Sequence, residues 1–145
     1  MNNSRRRRCR GGSAFEMALM LPWYIFLFVG AFDWGYYAHA LISTEAAART
    51  AGIYAASDTY HAADSSGVCT LVLEELRIVP NVGTNLTTCT SAPVVATTQL
   101  LSSGADGQQA AQVAVTYTTL QLIPIPLLLK NQATFYRVVQ MRLRS

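Results

Sequence analysis

One apolar run near the N-terminus limits what this chain can become more than any other feature. No charged side chain stands between Met17 and Phe32, and a single carboxylate, Glu16, stands just before the run. A helix needs about 20 mainly apolar residues to cross the roughly 30 Å hydrocarbon core of a bilayer, so this segment and its flanks make a short transmembrane span. A lone carboxylate at the edge of such a span is unfavourable in lipid unless it has a specific partner.

The basic charge of the chain is concentrated ahead of this run. Residues 1–11 carry five arginines and no acid, whereas residues 12–145 carry six basic and eight acidic residues. The basic isoelectric point therefore belongs to the leader, and we expect no nucleic-acid partner. Arginines that flank a membrane span favour the cytoplasmic side. The pattern predicts a cytoplasmic N-terminus and an extracytoplasmic C-terminal region.

Composition divides the 145 residues into four segments, of which only the last is large enough for a folded domain. The helical pattern runs from about Ser13 to about Ser57, too long to lie wholly in lipid. We predict a basic leader, a transmembrane helix segment, an extracytoplasmic continuation of that helix and a small α+β domain, at residues 1–11, 12–37, 38–57 and 58–145.

Three features mark the course of the long helix. Pro22 lacks an N–H and clashes with the carbonyl of the preceding turn, so a bend is expected there. Asp33 and Trp34 follow the apolar run, and an indole ring suits the headgroup level of a membrane. Further along, Arg49 lies one turn after Glu45, a spacing that favours an ion pair on a helix.

The alanine-rich part of the helix, residues 38–56, allows two interpretations. Small residues let another backbone approach closely, as at helix–helix interfaces. They also let a helix lie flat against a small sheet. Both can hold, on different faces of the same helix.

The remaining residues predict a small domain with β-strands near its end. Residues 112–122 and 134–143 alternate apolar and polar side chains, which is typical of half-buried strands, and residues 94–101 fit a third. We read residues 57–67 as a linker and 69–77 as a short helix or strand, with the pattern favouring a helix. The apolar connection 123–129 contains two prolines, so it is no central strand; it either contacts lipid or packs on a neighbour. The predicted fold is α+β: a long N-terminal helix, then a small antiparallel sheet packed on its C-terminal half.

Two of the three cysteines, Cys69 and Cys89, lie in the part expected outside the cytoplasm, where disulfides form and persist. A disulfide closing a loop of about 20 residues would stabilise the fold by about 3 kcal/mol in the chain-entropy model. The alternative is a pair of buried free thiols. We predict the disulfide.

The sequence shows no pattern of catalytic or metal-binding residues. His39 and His61 have no cysteine or acid at ligand spacing, and adjacent Glu74 and Glu75 point in different directions on a helix. Gly11 and Gly12 do not form a phosphate loop, because no strand precedes them. We expect no enzyme, no cofactor, no metal and no small-molecule substrate.

The residues around Gly11 carry a resemblance to a known family. After a cut behind Gly11, Glu16 would stand fifth, as in type IV prepilin-like proteins. The stretch Glu16–Leu19, the Leu-Pro pair at Pro22, the aromatic-flanked Asp33 and the Ala-Ala-Arg segment at Arg49 look like the TadE-like pseudopilins of the tight-adherence (Tad/Flp) pilus system. The match is good over residues 10–57 and loose over 110–143.

This resemblance implies a structural role. It implies cleavage by a prepilin peptidase after Gly11, leaving Gly12 at the new N-terminus, and partners among other pseudopilins or pilus-assembly proteins. It also implies a single-pass protein of the bacterial inner membrane with a periplasmic domain. Glu16 would then lie near a new ammonium group, and in an assembly a neighbour's N-terminal amine could neutralise it.

Two alternatives stay open on the sequence. The apolar run could be a secretory signal peptide cut after Ala40, which would release a soluble domain beginning at Leu41. It could also be an unprocessed single-span anchor for an extracytoplasmic interaction domain.

Overall fold

The structure is a computed structural model that describes residues 12–120 and 132–144. The basic leader with Gly11 and the apolar connection 123–129 lie outside the described residues. The chain forms two compact units, one ending at Gly35 and one beginning at Tyr36. Each unit is described by itself.

Helix α1 runs from Gly12 to Ala55, 44 residues, close to the predicted range. In the part of α1 that belongs to the first unit, the side chains of residues 14–28 are all exposed, although most are apolar. Over Ala14–Ala55 the helix reaches a mean hydropathy of 1.7 in its most apolar window, none of which is buried inside the protein. Exposed apolar residues on all sides are typical of a helix that lipid surrounds. By length and composition, α1 can cross a membrane once.

The second unit contains an antiparallel sheet of four strands in the order β1-β2-β3-β4. The strands are β1 (Thr90–Ser91), β2 (Val94–Leu101), β3 (Ala110–Thr118) and β4 (Thr134–Arg142). Val94 of β2 pairs with Tyr117 of β3, and Val115 of β3 pairs with Arg137 of β4. The long helix followed by this sheet confirms the α+β prediction.

The core lies between one face of the sheet and the alanine-rich part of α1. Val113, Val115 and Tyr117 of β3 are fully buried. Ala47, Ala48, Ala51 and Ala55 of α1 are buried in the same apolar cluster. The fit is close, because a methyl group added at Gly52 would lie 3.0 Å from Cγ1 of Val139. The alanine-rich helix therefore covers the sheet on this face.

Two short helices replace the predicted linker at residues 57–67, so that prediction is wrong. Helix α2 spans Thr59–Ala63 and helix α3 spans Ser65–Glu75, followed by a 3₁₀ turn at Leu76–Ile78. Each helix begins directly after an aspartate whose carboxylate accepts a hydrogen bond from a backbone N–H of the first turn. These aspartates are Asp58 and Asp64. Aspartate is among the best N-cap residues, so the local sequence stops one helix and starts the next.

The predicted disulfide between Cys69 and Cys89 is confirmed, with Cα atoms 5.6 Å apart. It joins α3 to the segment that enters β1. Cys89 itself is buried in the core. The crosslink thus ties the helical layer to the edge of the sheet that has the shortest strand.

Candidate assembly and processing site

The residues that the sequence singles out lie along α1, and Gly12 is its first residue. Gly11, the other glycine of the predicted cleavage site, lies outside the described residues. Glu16 follows Gly12 by four positions, which places it about one helical turn, roughly 6 Å, further along the axis. Its neighbours Phe15 and Met17 are 72% and 70% exposed. The carboxylate therefore sits on an apolar helix surface close to the helix start.

Pro22 lies inside α1, six residues after Glu16. The proline ring has no N–H, so the carbonyl of Ala18 loses its usual helical partner. Together with Trp23 and Phe26, Pro22 lines a shallow, almost wholly apolar groove. This surface suits lipid chains or another apolar helix.

Asp33 and Trp34 have opposite environments. Trp34 is 77% exposed, as expected of a ring at the membrane–water boundary, but Asp33 is only 2% exposed. In the described part of the chain, Oδ1 of Asp33 has no hydrogen-bond partner. Burial of a carboxylate oxygen without a partner is unfavourable. The sequence placed Asp33 at the membrane boundary and did not indicate that it is buried.

Arg49 lies on the outer face of α1, away from the alanines of the core. Its guanidinium Nη2 is 3.6 Å from Oε1 of Glu45, as the spacing predicts. Both side chains are mainly exposed, so the pair itself adds only a few tenths of a kcal/mol. They lie in a groove of about 400 Å³ whose other lining residues are Ile42, Ala46, Thr50 and Ile53. Glu45 and Arg49 are thus available to a partner.

A polar cluster around Asp64 was not foreseen from the sequence. Tyr54 donates a hydrogen bond of 2.8 Å to Oδ2 of Asp64, while Oδ1 accepts from Ser66 and from the backbone N–H of Gly67. These bonds, that of Ser66 first, lower the pKa of Asp64 from 3.8 to about 2. The same contact raises the pKa of Tyr54. The cluster fixes the end of α1 to the start of α3.

Asp58 makes a similar but smaller contact with His61. The backbone N–H of His61 donates to Oδ1 of Asp58 at 2.7 Å, and this bond is the main reason that the pKa of Asp58 is lowered. Nδ1 of His61 lies 2.8 Å from the same oxygen, without hydrogen-bond alignment. The ring also packs edge-on against Tyr54. These contacts cap α2, and they give His61 a structural role in the fold.

Near Tyr36, a series of hydrogen bonds connects side chains of α1, β3 and the loop that contains Asn81. The hydroxyl of Tyr36 lies 3.4 Å from that of Tyr117, which donates to Asn81. Asn81 in turn donates to the carbonyl of Thr118 at 2.7 Å. Burial raises the pKa of Tyr117 far above its usual range. Tyr117 therefore acts here as a neutral hydrogen-bonding group.

The base of the connection between β3 and β4 is held by a residue pair. Thr119 N–H donates to the carbonyl of Ala133 at 2.8 Å, and Ala133 N–H donates to Oγ1 of Thr119 at 3.0 Å. The connection itself, with the apolar residues 123–129, lies outside the described residues. The pair continues the β3–β4 ladder beyond its last strand residues.

Comparison with known protein families gives a match that covers most of α1. The model of the family described as TadE-like protein matches residues 11–52. This range holds Gly11, Glu16, Pro22, Asp33 and Arg49, and it confirms the resemblance over most of α1. No curated protein and no solved structure matches the chain.

Proposed function

We propose that this chain is a minor pseudopilin-like component of a Tad/Flp-type pilus or secretion assembly, with a structural rather than an enzymatic role. The observation that carries the proposal is the placement of Glu16, about one turn after the first helical residue, within the stretch that matches the TadE-like family. The chain would be anchored by α1 in a bacterial inner membrane, with its disulfide-linked domain in the periplasm.

The proposed processing step is cleavage by a prepilin peptidase after Gly11. It removes all five leader arginines, the charges that favour a cytoplasmic N-terminus. It also creates an α-amino group at Gly12, one turn from the carboxylate of Glu16. The mature chain would then begin with an ammonium group and an acid at the mouth of an apolar helix.

Glu16 would act in assembly through its charge. A charged side chain at the centre of a bilayer costs roughly 2.5–3.5 kcal/mol on insertion scales. Glu16 stands at the edge of the apolar run, and pairing with a cation would offset its cost there. The N-terminal ammonium of a neighbouring subunit is such a cation. The partners proposed are other pseudopilins or pilus-assembly proteins, together with the peptidase.

Replacement of Glu16 tests this proposal. Glu16→Ala and Glu16→Gln are expected to insert into the membrane but to be depleted from sheared pili or from the assembled apparatus. Glu74→Ala is the control, because Glu74 is an exposed acid of α3, outside the apolar run and outside α1. Unchanged assembly of both Glu16 variants would remove the basis of the proposal.

The secreted-domain alternative is less compatible with the fold. Cleavage after Ala40 would remove Ala40 itself, which is fully buried, and the Tyr36 hydroxyl that contacts Tyr117. The released domain would begin with part of its core missing. An unprocessed anchor leaves the fold intact, so the mature N-terminus distinguishes it from our proposal.

A further inference from the structure

We propose that the outer face of α1 in the second unit binds the same face of a second copy of this chain, with the two helices parallel and displaced by one helical turn. The proposed face consists of Ile42, Glu45, Ala46, Arg49 and Ile53, and we call it the outer seam. The inference rests on the proposed function in one respect: both copies are anchored in one membrane through α1.

The outer seam has the spacing of a helix-packing surface. Ile42, Ala46, Arg49 and Ile53 are separated by four, three and four residues, the repeat that keeps side chains in line along one side of a helix. Ile42 and Ile53 are 67% and 61% exposed, although isoleucine is among the residues most often buried. Two exposed isoleucines in one groove of a small domain indicate a contact surface.

The domain itself leaves this face uncovered. The opposite side of α1, with Ala47, Ala48 and Ala51, is fully buried against the sheet. At the margin of the groove, Thr50 donates a hydrogen bond to Oε1 of Glu75 in α3. The core and the outer seam therefore use separate faces of the helix, so a partner can occupy the seam without opening the fold.

Charge selects the relative position of the two copies. Glu45 and Arg49 are one turn apart and make no ion pair except with each other in residues 12–120 and 132–144. If two parallel copies met in register, each charge would face its own like charge, which is unfavourable. A displacement of four residues, about 6 Å, places Glu45 of one copy opposite Arg49 of the other.

The same displacement improves packing. It brings Ile42 of one copy over Ala46 of the other, so that a large side chain faces a small one. Parallel orientation follows from the anchor, because copies inserted in the same way point in the same direction. A tether in a common membrane also raises the effective concentration, so a contact of modest area suffices.

A displaced parallel contact has no two-fold symmetry. Each copy then keeps one half of its seam free for another copy, and contacts of this kind propagate into rows or helical arrays when the rotation does not close a ring. The second unit would thus add a directional contact outside the membrane. Its partner is a second copy of this chain.

Disulfide crosslinking between two differently tagged copies tests the displacement. In a Cys9→Ser background, co-expression of Ile42→Cys with Ala46→Cys is expected to give several-fold more crosslinked dimer than Ile42→Cys in both copies. Thr97→Cys, on the exposed outer face of the sheet, provides the background level. The measurement is the yield of mixed-tag dimer in intact membranes after mild oxidation.

Charge reversal tests the selection of register. Glu45→Arg in both copies is expected to reduce the mixed crosslink several-fold, Glu45→Gln to reduce it less, and Glu45→Arg with Arg49→Glu in the same chain to restore it. Intact Cys69–Cys89 pairing in each variant, seen on non-reducing gels, establishes that the domain has folded.

Three results would overturn the inference: a stronger crosslink between two Ile42→Cys copies, no crosslink above the Thr97→Cys level, or crosslinks only to a different protein. Failure of the proposed function looks different. If the chain reaches the membrane and the pilus fraction but the seam does not crosslink, the docking inference alone fails. If the chain is absent from both fractions, the proposed function fails first.

Discussion

Asp64 shows how single residues hold the second unit together. Its carboxylate caps α3 through Ser66 and Gly67 and accepts the hydroxyl of Tyr54 at the end of α1. The pKa of Asp64 is lowered to about 2, so the folded protein stabilises the ionised carboxylate more than the unfolded chain does. The contribution of this carboxylate to the stability of the fold is present above pH 3.8 and is lost as the pH falls through about 2.

Replacement of Asp64 by asparagine keeps a capping oxygen but removes the charge. We expect Asp64→Asn to lower the Tm of the detergent-solubilised chain by a few degrees at neutral pH. The difference from the unchanged protein should shrink as the pH falls from 3.8 towards 2, because the unchanged protein then loses the same charge. Asp106→Asn, at an exposed loop acid, is the control. A Tm difference that stays constant down to pH 2 would contradict this assignment.

The disulfide makes a separate contribution. Cys69 and Cys89 are 20 residues apart, so their crosslink restricts a loop of the unfolded chain. Replacing both by serine should lower the free energy of unfolding of the second unit by about 3 kcal/mol, within a usual range of roughly 2–4. Denaturant unfolding of the full chain in detergent measures this. Equal stability of the double variant and the unchanged protein would refute it.

At the scale of the element, the burial of the side chains of α1 changes along its length. The part of α1 in the first unit exposes apolar residues on every side. The part in the second unit buries alanines against the sheet and exposes the outer seam. Alanine at the buried positions sets the distance between helix and sheet. The methyl-to-Val139 distance of 3.0 Å at Gly52 shows how little space remains.

Enlarging one of these alanines tests the packing. Ala48→Leu should destabilise the second unit by about 1–3 kcal/mol, because extra atoms in a well-packed core force neighbours to move. Ala46→Leu is the matched control: it makes the same change two residues away on the exposed face and should have little effect on the unfolding of the isolated chain. If the two variants unfold alike, the assignment of the buried face is wrong.

The elements that sequence reasoning found are those with a strong periodic signal. The long helix and three of the four strands follow from apolar spacing alone, and β3 ends at Thr118 rather than at the predicted 122. Helix α2 and the start of α3 were missed because residues 57–67 are small and polar. Their signal is the pair of caps, Asp58 and Asp64, whose effect depends on a few local hydrogen bonds.

The candidate site was only partly predictable for a similar reason. Gly11 and Glu16 stand out because their spacing is local, and so does the Glu45–Arg49 pair on one helix face. The hydrogen-bonded chain from Tyr36 through Tyr117 is not local, because these two residues are 81 positions apart. Contacts of that separation are set by the tertiary fold, which no periodic pattern reveals.

At the scale of the whole molecule, each part of the chain has one task in the proposed function. In this proposal the leader would hold the N-terminus in the cytoplasm until it is removed, the apolar half of α1 would anchor the chain, and the second unit would present the outer seam. Only a chain that loses its leader brings an N-terminal ammonium close to Glu16. Cleavage would therefore link anchoring to assembly, and it is the central claim of the proposed function.

N-terminal sequencing of the membrane-associated protein tests this claim most directly. The chain should be purified from cells that express the matching prepilin peptidase, with a Gly11→Ala variant beside it. We predict that the mature chain begins at Gly12 and that the variant keeps its leader. A mature chain that begins at Met1 would mean an unprocessed anchor, one that begins at Leu41 would mean a secreted domain, and either would contradict the account.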